Sequence, residues 1–312
     1  MCLAEVAYQR NELDAALRHV TVGIALCRQL AYTPPLAVGL ATLAWIRQAT
    51  GDLAGALKAM SEAGQAAPGP PGLLNPVPAQ RARLLLAQGD LAAAARWVTE
   101  RGLGPDDEPD YPREPGHLLL ARVLLAQDRP GQALALLDRL HAAAAAQGRT
   151  GSMIEADALR ALALAAGGQE ADAVTTLAGA LTLACPQGQV RVFADEGPAM
   201  AALVRKLIAA QRSGQAAAGV PLGCLARLQR AFDAEHAAPR ILAVPGLVEP
   251  LTSRELEVLE RLAAGRSNQA IARELVVTLD TVKKHVSHVL DKIGAANRTE
   301  AVARARELGL IP

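Results

Sequence analysis

Short apolar runs alternate with polar turn phrases along the first two-thirds of the chain. Arg83-Leu84-Leu85-Leu86-Ala87 and Val123-Leu124-Leu125-Ala126 are two such runs, and each precedes a turn and a second apolar stretch. The turn phrase recurs as Asn11-Glu12-Leu13-Asp14-Ala15-Ala16-Leu17, Gly51-Asp52-Leu53-Ala54-Gly55-Ala56-Leu57 and Gly89-Asp90-Leu91-Ala92-Ala93-Ala94-Ala95. It returns as Asp128-Arg129-Pro130-Gly131-Gln132-Ala133-Leu134 and, more loosely, as Gly168-Gln169-Glu170-Ala171-Asp172-Ala173-Val174. A spacing of roughly 40 residues is that of helical solenoid repeats. The Gly-Asp step ends one helix with a Gly and caps the next with an Asp. Ala56, Ala94, Ala133 and Ala173 then let the paired helices approach closely. One such pair cannot bury its apolar face alone, so the pairs must stack.

Pro- and Gly-rich connectors are expected to break the array at Thr33-Pro34-Pro35, at 68–78 and at 102–115. The repeats are placed at 1–185 and a helical transition at 186–236. In the latter, Gln189 to Pro198 leads into a helix from Ala199 to Gln211, and another helix lies near Leu222 to Phe232. Leu203, Leu207 and Ile208 share one face of the first. Residues 237–249 carry Pro239, Pro245 and Gly246 and read as a linker.

From 250 to 312 the texture changes to short, well-capped helices. Thr252-Ser253-Arg254-Glu255 has the form of a capping box, and Leu256, Leu259, Leu262 and Ala263 point inward before Gly265 stops the helix. Ser267 is expected to cap a second helix over 268–275 and Thr278 a third over about 279–293. Asn297 and Glu300 form a further capping box for a last helix. A tight turn between the second and third helices makes a helix-turn-helix. On the third helix, Val282, Val286, Val289, Leu290 and Ile293 form one inward stripe. The opposite face shows Asp280, Lys284, Ser287, His288 and Asp291, flanked by Thr281 and Lys283. A short, polar, basic helix start suits phosphates and base edges in a major groove.

Composition sharpens this picture. Hydrophobic residues are 51% and aromatics 2%, so the apolar surface is mostly Ala, Leu and Val, and the predicted class is all-α. A net charge of +1 makes any nucleic-acid surface local rather than global. Cys2, Cys27, Cys185 and Cys224 form no metal-ligand spacing, and are expected to be small buried hydrophobes in a reducing cytosol rather than a disulfide frame. No secretory leader or membrane-length apolar run is recognised, and a cytoplasmic location follows. His285 and His288 lie three residues apart with no third metal ligand in sight, so no metal is assigned. Trp45 and Trp97 read as packing residues, and no nucleophilic motif points to an enzyme.

The segments Leu251 to Leu259, Gly265 to Ala272, Thr281 to Val286 and Lys292 to Val302 together resemble the LuxR-type DNA-binding domain. That resemblance implies groove-reading positions at Lys283, Lys284 and Ser287. It implies phosphate contacts at Ser267, Asn268, Thr281 and Lys292, and dimerisation through Ala301, Val302, Ala305 and Leu308 of the last helix. Ala270 stands where relatives commonly carry Glu, and Ser287 where many carry Lys. The upstream repeats resemble tetratricopeptide-like arrays. With Arg191-Val192-Phe193-Ala194-Asp195-Glu196-Gly197-Pro198, they are similar to the repeat domain of the MalT-like, large ATP-binding regulators. The partners implied are double-stranded DNA, self-association on DNA, RNA polymerase, and a small-molecule or protein effector on the repeats. A mere spacer is the alternative for the repeats, and a protein-contact scaffold the alternative for the helix-turn-helix. The sequence holds no Gly-Lys dipeptide and hence no phosphate loop. No cofactor is therefore expected in this chain, and ATP would need a module preceding it, which the abrupt opening at Met1 to Arg10 suggests.

Overall fold

The computed structural model describes residues 1–67, 76–213, 219–236, 251, 253–274, 279–308 and 310–311. The expected linker at 237–249, the caps Thr252 and Thr278, and Gly309 lie outside them. The chain divides into two compact units, Met1–Glu235 and His236–Pro312.

The first unit begins with five helix pairs: α1 (Cys2–Gln9) with α2 (Leu13–Gln29), α3 (Thr33–Ala49) with α4 (Leu53–Ala66), α5 (Val77–Ala87) with α6 (Leu91–Glu100), α7 (Glu114–Ala126) with α8 (Pro130–Ala146), and α9 (Thr150–Ala166) with α10 (Glu170–Ala184). Every copy of the turn phrase falls between the two helices of a pair. Its first residue takes a left-handed backbone each time, whether Gly (φ 83° at Gly51, 92° at Gly89, 80° at Gly168), Asn11 (61°) or Asp128 (58°). Asn and Asp are the side chains that best tolerate that region. The Asp52 and Asp90 carboxylates accept from the Gly55 and Ala93 N–H groups at 2.9 Å, so the predicted cap forms at both Gly-Asp steps. Ala16, Ala56, Ala94, Ala133 and Ala173 are fully buried where the pairs close.

The break expected at 33–35 is instead a helix start, and of the one expected at 68–78 residues 68–75 lie outside the described residues while its end begins a helix. Thr33-Pro34-Pro35 forms the first turn of α3, and Val77-Pro78 that of α5. Proline has no N–H to donate, and the first turn of a helix asks for none. Residues 101–113 do form a true connector. There Asp107 accepts from the Gly104 N–H at 3.1 Å and lies 3.2 Å from the ring of the buried His117. The Gly104 N–H, ahead of His117, holds the Asp107 carboxyl below the usual carboxylate range.

Consecutive first helices, α1, α3, α5, α7 and α9, also touch one another and so form the inner layer of the array. That layer is occupied by the chain itself. Residues 190–196, including α11 (Arg191–Ala194), lie against α1, α5, α7 and α9. The Val190 N–H donates to the Gln9 carbonyl at 2.7 Å. Tyr8 donates its hydroxyl to Asp195 at 2.8–2.9 Å, and the buried Arg191 pairs with the same carboxylate. Glu196 accepts from Arg83 at 3.0 Å and from Arg122 at 2.6 Å, while Arg122 also donates to Glu155 at 2.8 Å. Burial works to raise the Glu155 carboxyl, but the Arg122 and Arg83 guanidiniums outweigh it and hold it low. Each buried charge thus has an opposite charge and hydrogen bonds, which its desolvation requires.

The expected transition segment is part of this unit's core. Val190, Phe193 and Ala194 join α12 (Gly197–Arg212) and α13 (Leu222–His236) in one cluster with Ile154, Leu177 and Leu181. The cysteine expectation is corrected: Cys185, in a 3-10 turn after α10, and Cys224, in α13, form a disulfide, while Cys2 and Cys27 are free. Sequence separation of 39 residues hid the pair.

Candidate nucleic-acid interface

The second unit contains α14 (Ser253–Ala263), α15 (Asn268–Glu274), α16 (Leu279–Ile293) and α17 (Arg298–Glu307). Helix α16 touches each of the other three. Its Val282 packs with Val258, Leu262, Ile271 and Ala272, and its Val289 and Ile293 pack with Leu251, Leu259, Ala305, Leu310 and Ile311. All three α16 anchors are completely buried, which fixes the rotation of the helix about its axis.

The opposite face is therefore held outward. Lys283, Lys284, Ser287, His288 and Asp291 are exposed, and positions 284, 287, 288 and 291 follow one helical row. Lys283 is 60% exposed and 3.8 Å from Asp280, a loose pair that leaves its ammonium accessible. Thr281 lies in the first turn of α16, with its side chain outside the described atoms. Ser267 caps α15 by accepting the Ala270 N–H at 3.2 Å, and Asn268 beside it is half-buried.

Three cations and a carboxylate do structural work that the sequence pattern did not reveal. The Lys292 ammonium donates to Glu255 at 2.8 Å, with Glu255 only 4% exposed at its side chain. The Glu255 carboxylate faces α16 rather than serving only the start of α14, and His288 Nδ1 lies 3.8 Å from it. Arg298 donates to the Leu262 and Arg266 carbonyls at 3.0 and 2.7 Å, closing the end of α14. Arg304 donates to the Gly294 carbonyl at 3.1 Å, satisfying the chain just after α16. At α17 the Asn297 side chain accepts the Glu300 N–H at 3.0 Å as expected, while Glu300 accepts from Ala296 at 2.9 Å, one residue before the expected donor.

Two residues of the expected pairing face of α17 are turned inward. Ala301 and Ala305 are completely buried, and Val302 and Leu308 pack half-buried against the module's own core. The two alanines thus belong to the core of this unit, while Val302 and Leu308 keep part of their surface exposed.

The geometry is a helix with a fixed inward stripe and an outward row of Lys284, Ser287, His288 and Asp291, with Lys283 exposed beside it. An α-helix has the width of a major groove, and exposed lysines on such a helix can donate to guanine acceptors or phosphate oxygens.

Each of the two units is similar to a known family. Residues 1–210 match the family described as MalT-like TPR region. Residues 249–305 match that described as bacterial regulatory proteins, luxR family. The HTH-type transcriptional regulator MalT of Klebsiella pneumoniae subsp. pneumoniae is 32% identical over 169 residues, covering 45% of this chain and 17% of that protein. The protein of the same description from Serratia proteamaculans is 34% identical over 152 residues, with the same coverage. The chain thus spans 17% of the length of these relatives.

Proposed function

This chain belongs to the MalT-like TPR region family, and from that premise we propose that it is a DNA-binding transcription regulator. In this reading α16 enters the major groove, and the repeat unit supplies the regulatory input. The observation that carries it is the outward row of Lys283, Lys284 and Ser287, fixed by the burial of Val282, Val289 and Ile293 on the other side. Lys283, Lys284 and Ser287 read base edges, and Ser267, Asn268 and Thr281 meet phosphates. Lys292 is occupied by Glu255, so its role in this reading is to hold α16 on α14 for the groove.

The experiment is selection of duplex sites by the full chain, followed by affinity measurements on the selected site. Lys284→Ala is expected to lose about 1–3 kcal/mol on that site. Binding without sequence preference, or a variant of undiminished affinity, overturns the assignment.

Self-association is the second part of the proposal, and the repeat unit supports it better than α17. Val22, Leu26 and Leu30 recur every fourth residue along α2 and its end, and are 61%, 51% and 73% exposed. The exposed Leu3 and Val6 lie on the adjoining α1. An exposed apolar row of this kind suits contact with another protein surface. A small-molecule or protein effector acting on the repeats has to contend with an inner layer already filled by residues 190–196. RNA polymerase is the partner through which a DNA-bound regulator of this kind would act in the cytoplasm.

A further inference from the structure

The disulfide lies beside an arginine-lined cleft. The cleft encloses about 530 Å³ in the first unit, and Arg10, Glu12, Cys185, Arg227 and Arg230 are among its lining residues. Three guanidiniums against one carboxylate make it cationic. Among the described residues, neither Arg10 nor Arg227 has an acidic partner. Arg10 lies along Gly188, where a methyl group would sit 3.3 Å from its Cγ, so the arginine stem forms the wall next to the Cys185 turn. Cys185 is half-buried, whereas Cys224, in α13, is buried. Of the two bonded cysteines, the less buried one is thus the one that lines the cationic cleft.

We propose that Cys185–Cys224 is a thiol–disulfide exchange site whose reductant is an anionic, carboxylate-bearing low-molecular-weight thiol received by Arg10, Arg227 and Arg230, and that its redox state sets how firmly α13 is held. The carboxylates of the thiol pair with the guanidiniums, and its thiolate R–S⁻ attacks the Cys185 sulfur. The sulfur–sulfur electron pair leaves on Cys224, which becomes a thiolate while Cys185 carries the mixed disulfide. Cys224 is the third residue of the 15-residue α13, where the positive end of the helix favours that thiolate. A second R–S⁻ attacks the outer sulfur of the mixed disulfide, R–S–S–R departs, and Cys185 leaves as a thiolate. The two protons released by the two R–SH molecules finish on Cys185 and Cys224. Two electrons pass from the thiols to the protein disulfide, and nothing else is consumed.

The consequence falls on α13. Leu225, Leu228, Ala231 and Phe232 pack on Leu203, Leu207 and Ile208 of α12, and Gln211 donates to the Val220 carbonyl at 2.8 Å. The disulfide is the covalent tie that returns this helix to the end of α10, across 39 residues. Opening it frees the segment between the two cysteines in every partly opened state and lowers the cost of lifting α13.

The test uses the full chain with glutathione, 2-mercaptoethanol and cysteamine as anionic, neutral and cationic probes, with rates compared per thiolate. Thiol counting on the air-oxidised protein should give two free cysteines, and four after reduction. Glutathione should react about ten-fold faster than cysteamine, and the double variant Arg227→Glu/Arg230→Glu should abolish that preference. Hydrogen exchange at 222–236 should quicken about ten-fold on reduction, with α3 to α8 unchanged. Cys185→Ser/Cys224→Ser should show the faster exchange in either buffer. Four free thiols before reduction, equal rates for the three probes, or exchange of α13 indifferent to redox state would each overturn the proposal.

Discussion

The two units reach stability by different routes. The repeat unit is assembled from near-copies of one local instruction, a left-handed turn residue and an alanine at the helix contact at each pair, with an Asp side-chain cap at the two Gly-Asp steps. No copy suffices alone, and the array is finished by a segment unlike the repeats, residues 190–196, which ties α1, α5, α7 and α9 to one another through hydrogen bonds, ion pairs and packing. The second unit has no repetition. Four short helices share one small core, and charged side chains lock the helix ends: Lys292 on Glu255, Arg298 on the end of α14, Arg304 on Gly294. A repeat array can tolerate a weak link because its neighbours remain. A four-helix core of this size has no such reserve.

The contrast is broken most severely at Phe193. Its ring is completely buried among side chains of α9, α10 and α12. Phe193→Ala should destabilise the first unit by about 3–5 kcal/mol. Calorimetry of the full chain should show one transition moving down and the transition of the second unit staying in place. Movement of both would mean that the units do not melt independently.

The next two predictions sharpen the difference between structure and recognition on a single helix. Lys292→Ala strips the ammonium that faces the buried Glu255 carboxylate, at a cost to the second unit of about 3 kcal/mol. Chemical denaturation should register that loss, and Glu255→Gln in the same chain should recover part of it. Lys284→Ala should leave the melt of the unit within about 0.5 kcal/mol of the parent, since the residue is exposed. Its loss should appear only in affinity for the selected site, as above. If Lys292→Ala melted normally and bound DNA poorly, its assignment as a structural lysine would be reversed.

These cases show what could be read from the chain. The bounds of α16, its inward stripe and its exposed row are local facts, set by intervals of three and four, and they were legible. So were the turn phrase and its alanines. Contacts between distant residues carry no such periodic mark. The partners Lys292 and Glu255 are 37 residues apart, Arg122 and Glu196 are 74 apart, and Tyr8 and Asp195 are 187 apart. Each reads in sequence as a routine exposed charge or aromatic, and only the fold reveals its partner. Ala301 and Ala305 misled for a related reason: small residues on a helix suit both a partner's surface and a tight core, and packing against Leu259 and Ile293 decided for the core.

Tyr8 offers the smallest test, and the most specific one for the segment that finishes the array. Its hydroxyl is buried and donates to both oxygens of Asp195. Burial first, and the negative charge of Asp195 second, push its pKa well above the ordinary value of 10.0. In the unfolded chain the phenol ionises near that ordinary value. Above about pH 10 the unfolded state therefore releases a proton that the folded state keeps, and stability falls as pH rises. Below pH 10 both states hold the proton, and the contribution is fully present. The expected slope is at most about 1.4 kcal/mol per pH unit until the folded phenol also ionises. Lysines and arginines titrate in the same range, so the useful quantity is a difference. Tyr8→Phe keeps the ring against Arg191, whose guanidinium lies 5.4 Å from its centre, and deletes only the titrating group. Denaturation of both proteins between pH 9 and 11 should give parallel curves below pH 10 and a stability gap that narrows above it. A gap that stayed constant to pH 11 would mean that Tyr8 does not couple proton release to the seating of residues 190–196.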